Sequence, residues 1–324
     1  FFVLDLADVV PKDDTASMEH PIFSLATKPD HRHLTYQNGD HKLKIVPSGK
    51  GLPTIFDKDI LIFCVSQLMA MKNQGKPIGK RVRFSARELM VATTRKTGGV
   101  EYKRLEDAFV RLAGTQFVTN IKTGGRSETR LFSLVESGSG FVFKDDERMR
   151  LDYCEVILSD WFMRAIESSE VVTIANDYFR LRRPLERRIY EIARKHCGNQ
   201  KRWQITLENL QAKTGSNASL KRFRLNLRQI ITEDHTPFYS IELNDNDLVI
   251  FRPRKAPKPT GVYDLVVHQK THDKARKFAG GWDTAMLEQK WREWLLGRDF
   301  IPDSVEGSFI AFVKKYVERE GNAR

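Results

Sequence analysis

The amino-acid sequence predicts an α+β protein built from two tandem winged-helix domains and a small C-terminal helical module. Three observations lead to this prediction. The same order of helices, strands and hairpin occurs twice, a proline-punctuated basic segment follows the second copy, and the excess positive charge is concentrated within that second copy. The predicted boundaries are an N-terminal extension over 1–53, winged-helix domains over 54–150 and 151–252, a linker over 253–261 and the helical module over 262–324.

Length and composition limit the class of protein. The chain has 324 residues, 40% hydrophobic and 10% aromatic, so it can bury a core and is longer than one ordinary domain. The three cysteines lie far apart without zinc-site spacing, which indicates a reducing, cytoplasmic compartment. No apolar run approaches the ~20 residues that a membrane-spanning helix needs. We therefore expect a globular protein with no membrane association, no cofactor and no metal site.

The first copy of the repeated order begins at Thr54. A well-buried helix with Asp57 as its cap precedes a short strand, and Ser85 with Glu88 three residues later forms a capping box for a second helix. A glycine turn leads to a longer amphipathic helix, and two strand-like runs joined by Thr123–Arg126 predict a hairpin. The predicted elements are a helix within 55–71, a strand over 82–84, helices over 86–94 and 100–117, and strands over 117–122 and 129–135.

The second copy repeats helix, strand, helix, helix and hairpin, which is the order of a winged helix. Pro184 starts its first helix and Gly198 stops it. The predicted ranges are helix 184–196, strand 203–206, helices 207–213 and 219–231, and strands 238–243 and 248–252. Beyond the linker, an apolar stripe predicts a helix over 282–296 and a second over 308–320. This helical pair packs on its own chain or binds a partner, and the sequence leaves both open.

The charge distribution indicates a polyanionic partner. The chain carries a net charge of +12, and the segment from Arg180 to Arg228 contains 14 lysines or arginines and three acids, which is a net charge of +11. A charge that served only solubility would be spread over the surface. Clustered cations instead gain free energy by releasing the counterions that nucleic acid condenses.

The last helix of the second copy is the predicted DNA-reading element. In a helix-turn-helix the second helix enters the major groove, where base edges distinguish all four base pairs. Apolar residues of 219–231 fall on one arc, and the opposite face has no acid. It carries arginine, asparagine and glutamine, which make paired hydrogen bonds to bases. The predicted DNA contacts of this domain are Lys221, Arg222, Arg224, Asn226, Arg228 and Gln229, with Arg187 and Arg188 on its first helix.

The corresponding helix of the first domain is less clearly a reading helix. Between residues 100 and 112 it offers Lys103, Arg104 and Arg111, but acids lie among them. The hairpin tip with Lys122 and Arg126, or the turn residues at 95–96, could hold phosphates instead. Dimerisation through this domain remains an alternative.

Enzymes that act on nucleic acid carry recognisable catalytic motifs. No G-x-x-x-x-G-K-[ST] loop for a nucleotide is present, since the Gly75–Arg81 segment has the wrong spacing. Metal-dependent nickases use a His-hydrophobic-His pair and a tyrosine. In His31-Arg32-His33, with Tyr36 nearby, the cation at Arg32 breaks that pattern. We therefore expect no catalytic activity.

Several stretches resemble the plasmid replication initiator protein A family, itself similar in layout to the tandem winged-helix Rep proteins of iteron plasmids. They are Val100–Phe117, Leu181–Gly198 and the Trp-rich tail from Trp282, and the resemblance covers most of the chain beyond Thr54. It implies binding to directly repeated origin sequences (iterons), local duplex opening, and recruitment of a host DnaA-type initiator and replicative helicase in a bacterial cytoplasm. It also implies a homodimer that represses its own promoter and a monomer that initiates.

Two other functions remain open from the residues alone. A transcriptional repressor could use the same winged helices with a C-terminal oligomerisation helix, and it would prefer inverted half-sites. An initiator monomer prefers direct repeats read by two unlike domains, which agrees with the unlike charges of the two reading helices. A nickase or relaxase would cleave supercoiled DNA in a metal-dependent reaction.

Overall fold

The computed structural model describes residues 9, 11–14, 17–18, 20–38, 41–73, 76–119, 130–143, 151–168, 170–198, 200–254, 262, 265, 267, 269–298, 300–302 and 304–322. The chain divides into a first unit over 1–254 and a second unit over 255–324. The division falls inside the predicted linker. Within the described ranges, no helix is long and apolar enough to cross a lipid bilayer.

The first unit mixes helices and antiparallel sheets. Its first half contains β1 (Lys12–Asp14), β2 (Leu34–Asn38), β3 (His41–Val46), α1 (Lys58–Asn73), β4 (Arg81–Phe84), α2 (Ala86–Ala92), α3 (Gly99–Gly114), β5 (Gln116–Thr119), β6 (Arg130–Phe132), β7 (Gly140–Phe143), β8 (Leu151–Ile157), α4 (Asp160–Glu167) and β9 (Val171–Thr173). Its second half contains a 3₁₀ helix (Asn176–Arg180), α5 (Pro184–His196), β10 (Trp203–Thr206), α6 (Leu207–Thr214), α7 (Leu220–Glu233), β11 (Tyr239–Leu243) and β12 (Leu248–Pro253).

The second half has the predicted elements to within two residues at each end. The strand before the helix pair joins the hairpin, giving the sheet order β10-β12-β11 with Ile205 opposite Val249. Local signals fix the helix pair. The Thr206 hydroxyl caps α6, Gly215 ends it at φ +72°, and the Ser219 hydroxyl accepts a hydrogen bond from the backbone N–H of Arg222 at 3.3 Å to start α7.

The first half has the predicted order of elements but a different strand pairing. The capping box is confirmed, since Ser85 and Glu88 exchange side-chain and backbone hydrogen bonds at the start of α2. The hairpin strands β5 and β6 join β2 and β3 in the order β2-β3-β5-β6, and β4 pairs with β8 in the order β4-β8-β7. The predicted winged-helix arrangement, in which the strand before the helix pair joins the hairpin, is therefore not formed here. Instead, β4 pairs with β8, and β5 of the hairpin pairs with β3.

The described part of residues 1–53, predicted as an extension, belongs to the body of the first unit. The β3 strand alternates lysines with buried Leu43 and Ile45, which is the period of a half-buried strand. The β1 strand pairs with β9, and Phe23 lies in the core around α1. Buried apolar residues form a cluster around α1 and another around α5 to α7, and Ile62 of α1 belongs to the second. One helix thus contributes to both cores.

The second unit is helical where it is described. It contains α8 (Gln269–Arg276), which was not predicted, α9 (Thr284–Leu296) and α10 (Val305–Glu320). The predicted stripe on α9 buries Leu287, Trp291 and Leu295 against α10, and the Trp291 indole N–H donates to the Ser308 hydroxyl at 3.1 Å. These helices pack on their own chain.

Candidate nucleic-acid interface

The α7 helix presents an exposed basic face at the surface of the second half. Phe223, Leu227 and Ile230 are buried and anchor the helix on its core. On the other side Lys221, Arg222, Arg228 and Gln229 are exposed, while Arg224 and Asn226 are half-buried. No acid occupies the first turn, so the helix dipole adds to the positive charge at the N-terminal end.

The six predicted contacts on α7 differ in their availability. Arg224 is held by Asp247 of the β11–β12 turn, with Nε at 3.1 Å from Oδ1 and Nη2 paired with Oδ2. The Gln229 side chain donates to Glu233 at 3.2 Å, and Asn226 lines a groove whose far wall is the 23–36 segment. Arg228 is exposed and has no carboxylate partner among the described residues. Arg228 is therefore better placed than Arg224 for a bidentate contact with a guanine.

Leu225 is a further candidate that the sequence analysis did not identify. It is 57% exposed in the middle of the basic face. An apolar side chain at this position suits contact with the methyl group of thymine. Helical spacing already places Leu225 outside the apolar arc of 219–231, but only polar side chains were predicted as DNA contacts there.

Arg187 and Arg188, predicted as DNA contacts, are buried, and this prediction is wrong. Arg187 is 1% exposed, its Nη1 lies 2.5 Å from Asp59 Oδ1, and its guanidinium stacks on the rings of Phe56 and Tyr178. Arg188 donates to the carbonyls of residues 17, 18 and 213. Both arginines hold the first and second halves together, because α1 and the N-terminal segment cover the face of α5 that carries them.

A buried ionic network adds to the contact between the first and second halves. The Lys58 ammonium of α1 lies 2.6 Å from Asp13 of β1 and 3.1 Å from Glu191 of α5. Burial lowers the pKa of Lys58, but the neighbouring carboxylates outweigh it and the pKa is raised. Asp59 accepts a hydrogen bond from Arg95 at 2.8 Å in addition to the one from Arg187. The network joins β1, α1, the turn before α3 and α5, four segments that are distant in sequence, so it fixes that turn relative to α5.

The predicted contacts on the first half are mostly neutralised by their own chain. Arg111 pairs with Asp57 through two hydrogen bonds of 2.7 and 2.8 Å and is only 16% exposed, which removes it from the surface. Lys103 and Arg104 are exposed and pair with acids of the same helix. Lys122 and Arg126 lie outside the described residues. The α3 helix therefore offers little net positive charge.

Three other cations border a cleft between the two halves. The cleft is lined by the 26–29 segment, the turn before α3, and the start of α5. Most of its arginines are paired with carboxylates, whereas Lys28 and Lys96 are exposed and have no ion pair with a described residue. Arg182 is exposed and donates to the Thr94 carbonyl at 3.2 Å. We refer to Lys28, Lys96 and Arg182 as the cleft cations.

Comparison with known proteins identifies the class and then the family. Residues 12–241 match the family model "Replication initiator protein A". A "Putative replication protein" of Wigglesworthia glossinidia brevipalpis is 36% identical over 259 residues, covering 78% of this chain and 93% of the relative. The protein is thus a replication initiator, and it belongs to the replication initiator protein A family. The family predicted from the sequence is confirmed, although the Trp-rich tail lies outside the match.

One solved structure shows a shared fold. A structure of domains 2 and 3 of RctB superposes with a TM-score of 0.52 at 14% sequence identity, covering 74% of this chain and 98% of that chain. A second structure of these RctB domains gives a TM-score of 0.48 at 12% identity, covering 74% and 96%. The first superposition agrees with the mixed helix and strand class that the sequence predicts.

Proposed function

We propose that this initiator binds double-stranded DNA in a sequence-specific manner, with α7 as the helix that enters the major groove. One observation carries the proposal. The second helix of a helix-turn-helix exposes Lys221, Arg222 and Arg228, which form no ion pair with a described residue, and the helix has no acid before its last residue, Glu233. Membership of an initiator family agrees with DNA as the partner.

The second half acts as a winged helix in this proposal. The pairing of β10 with the β11–β12 hairpin supports it, because a winged helix places its first strand on the wing. The wing tip, residues 244–247, contains two aspartates and one of them pairs with Arg224. An acidic tip repels phosphates. The exposed face of α7, rather than the wing, is therefore the positively charged approach to DNA.

The cleft cations extend this surface toward the first half. Lysines and arginines that contact phosphates strengthen binding to every sequence and make it depend on salt. The buried network of Asp59, Arg95 and Arg187 fixes the turn that carries Lys96 relative to α5. Two unlike helix pairs held in this way suit direct repeats, with contacts in successive major grooves about 34 Å apart.

The remaining parts of the proposal concern the replication origin. The protein binds iterons, opens the duplex locally, and recruits a host DnaA-type initiator and replicative helicase, while a homodimer represses its own promoter. The family match supports these functions. The protein acts by binding alone, without catalysis, which is supported by the lack of a nucleotide-binding loop in the sequence.

Footprinting on supercoiled DNA that carries the protein's own gene and its flanks tests the proposal. The expected result is protection of spaced direct repeats, lost with Arg228→Ala and retained with Lys315→Ala, an exposed control in the second unit. No strand cleavage is expected when divalent metal is added. Protection of a single inverted repeat at the promoter would replace the initiator mechanism with that of a repressor, and metal-dependent nicking would show an enzyme.

A further inference from the structure

Glu186, in the first turn of α5, is a buried carboxylate with an unsatisfied oxygen. The residue is 4% exposed, and no described residue donates a hydrogen bond to its Oε1 atom. Burying a carboxylate without a partner is unfavourable, and buried polar atoms in folded proteins are nearly always satisfied. The oxygen at this position therefore needs a bound water or another group as its partner.

Two further ligand-type side chains converge on Glu186. Glu233 is the last residue of α7 and His235 follows two positions later, and one ligand atom from each of the three residues lies within 4.8 Å of the others. His235 Nδ1 lies 4.0 Å from Glu233 Oε2. Asp234, between them, has φ +52°, so the chain turns sharply and both neighbours reach the same point.

From this geometry we propose that Glu186, Glu233 and His235 form a binding site for a divalent transition-metal cation. One imidazole with two carboxylates favours zinc or its chemical neighbours over magnesium and calcium, which prefer oxygen ligands alone. Three protein ligands leave a coordination position for water. The C-terminal end of a helix carries partial negative charge, so the end of α7 also favours a cation.

Contacts around the site orient its carboxylate and provide access. Glu233 Oε1 accepts from Arg183 Nη2 at 2.5 Å and from Gln229 Nε2 at 3.2 Å, which leaves Oε2 on the side of His235. The His235 side chain is 67% exposed, so a metal ion can reach it from solvent. Two carboxylates and one arginine give the ionised cluster a net charge of −1, which still attracts a dication.

A metal ion at this site would join the first turn of α5 to the end of α7. It would therefore stabilise the second half, because a ligand that binds only the folded state raises its stability. If α7 reads DNA, as proposed above, the metal ion would also fix the end of the reading helix. Metal binding itself does not depend on that function.

Titration of the full-length, chelator-treated protein with Co²⁺ tests the site directly. We expect one saturable visible absorption band from Co²⁺, its displacement by Zn²⁺, and a Zn²⁺-dependent rise in the midpoint of thermal unfolding. His235→Ala and Glu186→Gln should each weaken Co²⁺ binding roughly tenfold or more, as loss of supporting groups at metal sites does. Because His235 is exposed, its variant is expected to fold normally.

The matched control is His33→Ala, an exposed histidine in the His31-Arg32-His33 segment. It should leave the Co²⁺ band and the Zn²⁺ effect unchanged. Absence of a saturable band, or its loss in His33→Ala but not in His235→Ala, would overturn the proposed site. Arg228→Ala should keep metal binding while losing its DNA preference, so failure of the metal site and failure of DNA recognition give different results.

Discussion

Replacing Arg187 with alanine tests whether this arginine is a structural residue or a DNA contact. Arg187 is 1% exposed and donates to Asp59 at 2.5 Å, to the Leu181 carbonyl at 2.9 Å and to the Phe179 carbonyl at 3.2 Å. Breaking a buried ion pair typically costs about 3 to 5 kcal/mol, because the remaining charge stays buried. Asp59 keeps Arg95 as a second partner, so we expect a loss near the lower limit, about 3 kcal/mol.

The assay combines urea unfolding with DNA binding by the folded protein. Arg187→Ala should lower the free energy of unfolding by that amount. Arg187→Lys should only partly restore it, since an ammonium lacks the planar donor set that reaches both carbonyls and the carboxylate. The matched variant is Arg228→Ala, which should change stability by less than about 0.5 kcal/mol and weaken binding to the cognate site by about 1 to 3 kcal/mol. Unchanged stability with lost DNA binding in Arg187→Ala would refute the structural role.

Two further predictions concern the surface that we propose faces DNA. The double variant Lys28→Ala/Lys96→Ala should bind cognate and random duplexes more weakly and to the same extent. The factor by which affinity falls when salt is raised from about 50 to 200 mM should be roughly tenfold smaller than in the unsubstituted protein. The control Lys277→Ala/Lys315→Ala removes two exposed charges of the second unit, and an equal loss there would exclude a specific role for the cleft cations. Asp247→Ala removes an acid from the wing tip and frees the α7 arginine that it holds, so affinity for random duplex should rise several-fold. Unchanged affinity, measured by fluorescence anisotropy, would place the wing tip away from DNA.

The elements that depend on local signals were predictable from the sequence. The capping box at Ser85 and Glu88, the hydroxyl cap at Ser219 and the glycine at 215 each determine a helix end through atoms a few residues apart. Strand pairing in the first half was not predictable. Phe84 pairs with Cys154, and Ile45 pairs with Phe117, across long stretches of intervening chain. No local pattern specifies those partners, so β4 could be recognised as a strand but not assigned to its sheet.

The candidate site, like the fold, was only partly predictable from the sequence. Helical periodicity separated the buried and exposed faces of α7, since neighbours on a helix face recur every three to four residues. It failed on α5, where Arg187 and Arg188 lie outside the apolar arc and yet are buried. Their partners are Asp59 and the carbonyls near Ser17, which are more than a hundred residues away in sequence. Arginines that bind DNA and arginines that join two halves of a protein look alike until the covering segments are known.

The charge cluster in the sequence therefore overstates one part of the proposed DNA-facing surface and omits another. Within 180–228, several arginines serve the fold: Arg187 and Arg188 are buried, Arg183 pairs with Glu233, and Arg194 donates to the Thr173 carbonyl. Lys221, Arg222 and Arg228 of α7 are exposed without an ion pair to a described residue, Arg182 borders the cleft, and Lys28 and Lys96 reach the cleft from the first half. The positive surface thus spans both halves. Its geometry depends on the buried network at Asp59, so a change that loosens this network should weaken DNA binding without touching DNA.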